Sequence, residues 1–155
     1  MRLSSPHRPR KVFVVLMALV VPCVAAGCTG YSGTKANQVS QWASQYAVIA
    51  NDQLVVNDVV AIRASVRAAQ LKDVTSNCAG LAVDTGTAYG NLPTPDTTLT
   101  AELNVAYEGF ASAAGDCAAA GSLSSSKITA ALTKVKTALV SLERATRLLA
   151  SEGVH

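Results

Sequence analysis

The run from Thr97 to Ala120 does most to limit what this chain can become. Leu99, Leu103, Ala106, Phe110, Ala113 and Cys117 recur at alternating steps of four and three. That spacing puts them on one face of an α-helix, whereas a strand would scatter them over both faces. Such a seam is buried only against other helices, so the rest of the chain has to supply them. The composition fits: half of the 155 residues are apolar, yet only 5% are aromatic. Alanine fills much of the difference, which favours closely packed helices over a sheet core.

The rest does supply helices. From about Ala36 to Lys72, Val39, Trp42, Tyr46 and Ile49 share helical spacing, and so do Val55, Val59, Ile62, Val66 and Ala69. The two stripes fall out of phase around Asn51-Asp52-Gln53, which allows a kink or two helices. With neither Gly nor Pro in the run, one long helix is expected. After a break at Lys72–Asn77, capped at Thr75 or Ser76, a second helix runs to about Tyr89 with Cys78, Leu81, Thr85 and Ala88 inside. Gly90–Asp96 (GNLPTPD) excludes a continuous helix, and Asp96 or Thr97 caps the third. Gly121 ends that helix. A serine run, Ser124–Ser126, starts the fourth, which extends to about Ser151. Its inner stripe is Ile128, Leu132, Val135, Leu139, Leu142 and Leu149, with Thr146 at the polar step. Glu143 and Arg147 pair on its outside. The expected fold is all-α, an antiparallel four-helix bundle over residues 36–155.

The N-terminus is an address. Residues up to Lys11 are basic, Val12–Val21 are apolar, and Pro22 interrupts. A transmembrane helix needs roughly 20 apolar residues, so the segment reads as an export signal. Val24-Ala25-Ala26-Gly27-Cys28 resembles a lipobox, although Ala25 stands where Leu is commoner. Residues 1–27 are then a cleaved lipoprotein signal peptide. Residues 28–35 become a lipidated cysteine and flexible tether, with the chain on the extracytoplasmic face of the cell membrane. The cysteine count agrees: Cys23 leaves with the signal and Cys28 takes lipid, leaving Cys78 and Cys117 as an even pair. In an oxidising compartment that pair is expected to form an interhelical disulfide. Both lie on inward stripes, one helix to either side of the Pro-rich turn.

These features together resemble a group of small actinobacterial lipoproteins with no assigned activity. They are the lipobox, Trp42 early in the first helix, Asn57-Asp58 in its middle, Cys78-x-x-Leu81, Pro93-x-Pro95-Asp96, and Phe110 with Ala113-Ala114-x-x-Cys117. Members often carry Trp where Leu103 stands here. The resemblance implies a secreted helical lipoprotein with one disulfide.

Several chemistries are excluded in their usual forms. The histidines are His7, inside the signal, and His155, the last residue. That removes Ser-His-Asp and Cys-His catalysis and His-ligated zinc or haem. Four of the 13 basic residues precede Cys28, so nine remain against ten acidic ones. A near-neutral domain lacks the basic footprint of a nucleic-acid binder. Asp52, Asp58, Asp84, Glu102, Glu108 and Asp116 are scattered in sequence. Asp58 stands out because Asn57-Asp58 interrupts an apolar run. Gly86-x-x-x-Gly90 lacks the strand and lysine of a phosphate loop.

No enzyme activity, cofactor or metal is expected. The expected role is a monomeric envelope module that binds another protein or a cell-wall component, beside the membrane lipid reached through Cys28. The alternative is a carrier or sensor of a small apolar ligand within the bundle. Trp42, Tyr46 and Phe110 are the candidate contacts.

Overall fold

The computed structural model describes residues 30–155; the expected signal peptide and lipidated Cys28 lie outside them. The described residues form five α-helices and no strand: α1 (Lys35–Gln45), α2 (Val48–Arg67), α3 (Leu71–Tyr89), α4 (Thr97–Ala118) and α5 (Ser126–Ser151). Neighbours in sequence pack together: α2 on α3, α3 on α4, α4 on α5, with α1 resting lightly on α2. The result is bundle-like, with one continuous core.

The expected first helix is two. The break lies at Tyr46-Ala47, upstream of the phase slip in the sequence. Ala47 takes a left-handed conformation, φ 48° and ψ 44°. For a residue with a Cβ this costs roughly 1–2 kcal/mol. Asn51 Nδ2 donates to the Tyr46 carbonyl at 2.8 Å, satisfying part of the broken ladder. The break lets both stripes face the core: Trp42 and Val48 are buried, while Ile49, expected inside, is 40% exposed.

The next turn is also displaced. It falls at Ala68–Gln70, with Ala69 at φ 56°, so α3 begins ahead of the expected Lys72–Asn77 break. Thr75 is no cap; its hydroxyl bonds back to the Leu71 carbonyl from inside the helix. Val74 is the reason to extend α3, because the added turn buries it completely.

The second half follows the pattern closely. Asp96 Oδ1 accepts from Leu99 N at 2.7 Å and caps α4. Ser125 caps α5 by accepting from Lys127 N. All six seam residues of α4 are buried. On α5 the inner stripe is Ile128, Val135, Leu142 and Leu149 with Ala131, Ala138 and Ala145, whereas Leu132 and Leu139 are only half-buried. Alanine wins those positions because α4 and α5 approach closely. A Cβ added to Gly109 would lie 2.9 Å from the Ala138 Cβ. Helix separation follows the size of the side chains between them. Glu143 and Arg147 pair at 2.5 Å on the outer face.

Cys78 and Cys117 are bonded, with Cα atoms 6.0 Å apart, joining α3 to α4 inside the core.

The stretch expected as a flexible tether is taken up by the fold from Tyr31 on. Tyr31 packs on the core. Gln41 and Gln38 side chains donate to the Ser32 and Gly33 carbonyls. Thr34 then caps α1, and Lys35 pairs with Asp96.

Candidate functional site

The aromatic candidates are placed by the core. Trp42 is 1% exposed and its indole N–H donates to the Asn91 carbonyl at 2.9 Å. The bond fastens α1 to the turn between α3 and α4. Phe110 is fully buried, and Tyr46 is half-buried with its ring centroid 6.4 Å from that of Trp42. A buried indole satisfied by a backbone carbonyl closes the end of a core. Trp42→Phe keeps an aromatic side chain, though a smaller one, and strands the Asn91 carbonyl. It is expected to destabilise the fold by about 1–3 kcal/mol, measured by urea unfolding, with Tyr46→Ala milder. A Trp42→Phe chain as stable as the wild type would free the indole for another role.

The polar chemistry gathers deeper. Asp52, on α2, is buried beside Tyr107 of α4, whose hydroxyl donates to Asp52 Oδ1 at 2.7 Å. Asp52 Oδ2 is shut from solvent and meets no donor. Burial raises the Asp52 carboxyl to about 6, partly opposed by the Tyr107 hydrogen bond. Burial and the facing Asp52 charge also push the Tyr107 phenol up, so it stays a donor. Sequence reasoning named Asp52 only among scattered acids and missed Tyr107. The available signal was Tyr107 beside the seam residue Ala106, where a buried phenol requires an acceptor.

Asp58 has a partner too. It faces Asp84 across α2 and α3, and burial first, then the Asp84 charge, raises it to about 6. Gly80 makes room for it: a Cβ there would sit 3.2 Å from Asp58 Oδ1. A nearby like charge disfavours the ionised form of Asp58, and its Oδ2 is buried without a hydrogen-bond partner. Asp116 is engaged differently, paired with Lys134 at 2.5 Å. Among the described residues, no three of His, Cys, Asp and Glu gather where they could hold a metal ion.

Clefts open beside this polar layer. One of about 140 Å³ lies between α2 and α5, with Asp52 in its wall. Another, of about 230 Å³, lies between α3 and α4, lined by Thr85, Tyr89, Tyr107 and Glu108 among others. Thr85 is buried and its hydroxyl has no partner. A shallow groove of about 510 Å³ runs between α4 and α5 past Val105, Gly109 and Ser112. Trp42, Tyr46 and Phe110 line none of these three.

Comparison with protein-family models, curated proteins and solved structures finds no match to this chain.

Proposed function

We propose that the chain is a lipid-anchored envelope protein, built as an antiparallel four-helix bundle and acting by binding rather than by catalysis. The observation that carries this reading is the buried Cys78–Cys117 bond. Such bonds persist in oxidising compartments and are rare in reducing ones, which agrees with an export signal ending at Cys28. The bundle reading is supported by paired contacts along neighbouring helices. Ser65 meets Asn77, Tyr89 meets Glu108, and Glu102 meets Arg144. Among the described residues, no helix is long and apolar enough to cross a membrane; in this reading attachment is through Cys28.

Exposed Leu54, Val60, Val83 and Val105 on the outer faces, with the α4–α5 groove, suit contact with a protein or cell-wall partner. Proximity crosslinking in intact cells would identify it. A second reading, carriage of a small apolar ligand, is favoured by the α3–α4 cleft with its unpartnered Thr85 hydroxyl. In that reading the ligand sits away from Trp42 and Phe110.

Cys28→Ser is the test of the anchor. It is expected to release the protein from membranes or to leave an unprocessed precursor, and intact mass separates the two. Two acyl chains give stable attachment, because each buried CH₂ contributes about 0.8 kcal/mol. A wild-type protein starting at an unlipidated Gly27 would sink the anchor and leave ordinary secretion.

A further inference from the structure

We propose that the edge of the bundle between α2 and α5 is a docking groove for an acidic amphipathic helix of a partner protein. The helices pack along α2–α3, α3–α4 and α4–α5, without comparable contact between α2 and α5. A closed four-helix bundle would join those two as well. The cleft of about 140 Å³ shows where they part: Ile49, Gln53 and Val56 stand on one side, Leu142 and Thr146 on the other. On α2 the same stripe continues through Val60, Arg63 and Arg67, at steps of four, three and four. On α5 it continues the other way through Leu139, Lys136 and Leu132. Ile49 is 40% and Val60 56% exposed, and Val56, Leu132 and Leu139 are only half-buried. Two apolar stripes at helical spacing, held apart, leave a seat whose shape fits another helix.

Charge names the occupant. Arg63 and Arg67 stand four apart on α2, and Lys136 lies on the facing stripe. Among the described residues none of the three meets a carboxylate. Like charges four apart on a helix repel one another. The edge offers them little relief. α5 carries Lys127, Lys134, Lys136, Arg144 and Arg147 against Glu143 alone, and Arg147 holds that acid. Asp52, the acid of α2 on this side, is buried and accepts from Tyr107. What the groove lacks is a row of carboxylates beside an apolar stripe. A bare polyanion would leave Val56, Val60 and Leu139 uncovered, so charge and apolar surface together call for a helix. The bilayer is not the counter-charge, because Arg63 and Arg67 stand at the end of α2 away from α1 and Tyr31.

This groove rests on the binding reading above and names its partner class; it does not depend on lipid at Cys28. The full-length protein in detergent is titrated with two labelled peptides of about 20 residues, the length of α2, with protein-free micelles as the blank. Both peptides carry leucines at steps of three and four; one flanks them with glutamates, the other with lysines. Fluorescence anisotropy is expected to show one site for the acidic peptide, weakened by salt, and none for the basic one. Arg63→Glu/Arg67→Glu should weaken the acidic peptide about tenfold or more and admit the basic one. Val60→Asn, at an exposed position, should also weaken it while all three cations stay. Circular dichroism checks that each variant folds. A photoreactive side chain at Val60 should label the acidic peptide, and one at Val105 should not. Labelling at Val105 alone would keep the binding reading and end this one. Equal binding of both peptides, no binding of the acidic peptide, or unchanged affinity in the folded charge-reversal chain would overturn the proposal. So would polyglutamate or a phosphatidylglycerol micelle binding as tightly as the peptide, since charge alone would then account for it.

Discussion

Severing the Cys78–Cys117 bond is expected to lower the melting temperature by on the order of 15 °C while most of the helicity survives. The bond closes a loop of sequence separation 39. In the chain-entropy model a loop of that size contributes about 4 kcal/mol by restricting the unfolded chain. Both sulfurs are buried, so the native state also loses packing when they are truncated. The helices outlast the bond because the α4–α5 seam from Leu99 to Phe110 against Ile128 to Leu149 is formed without it. Melting by circular dichroism, with and without reductant, and of the Cys78→Ala/Cys117→Ala chain, measures the effect. Thiol labelling of the denatured, unreduced protein should find neither cysteine free. An unchanged melting temperature would show that the unfolded chain is already restricted by other means.

The second large effect is expected at Asp52 and depends on pH. Its carboxyl is raised from 3.8 to about 6 in the folded protein, mainly by burial. A folded-state value above the unfolded one means that the native state binds the proton more tightly. The resulting stabilisation is complete below about pH 4 and is lost as pH rises through 6. At pH 8 the buried charge then costs about 3 kcal/mol relative to the neutral group. Asparagine keeps the shape and the Tyr107 bond without the charge. The stability difference between Asp52→Asn and wild type should therefore swing by about 3 kcal/mol toward the variant between pH 4 and pH 8. Asp58 is displaced in the same direction, but it is present in both chains and largely cancels. Urea unfolding at a series of pH values reads the swing. A difference that stays flat across the series would mean that Asp52 titrates as an exposed carboxylate does.

How much of this was legible varies along the chain. The second half was readable because its signals are unambiguous: Pro93 and Pro95 forbid a helix, Asp96 caps, and large apolar residues mark the α4 seam. The first half misled because its turns use no breaker residue. Ala47 and Ala69 both take positive φ, and nothing local in an alanine announces that; tertiary packing imposes it. Alanine also blurred the inner face of α5. Ala138 looks neutral in a hydropathy pattern, yet it sits against Gly109 where α4 and α5 approach closely. The cysteines were legible as a pair because both fall on inward stripes. The Asp52–Tyr107 contact was not, since its partners stand 55 positions apart. Spacing within one helix says nothing about what faces it from another. Trp42 was legible as a residue of consequence, but its partner is a backbone carbonyl at Asn91, which leaves no mark in a sequence.

The docking of Tyr31 against the core would set the geometry of the proposed attachment. Two residues, Thr29 and Gly30, separate Cys28 from Tyr31, and three backbone steps span at most about 11 Å. With Cys28 held in a bilayer as proposed, the domain would have no long stalk, and its Tyr31 end would stay near the lipid. That end gathers α1, the Asn91–Asp96 turn that Trp42 and Lys35 grip, and the C-terminal Gly153–His155 beside Ala47. The opposite tips, Ala68–Gln70 and Ala119–Ser125, lie at the far end of the bundle, separated from that end by α5, whose 26 residues span about 39 Å. A soluble partner arriving from the far side meets those two loops first, and the flanks of the upright helices only after passing them.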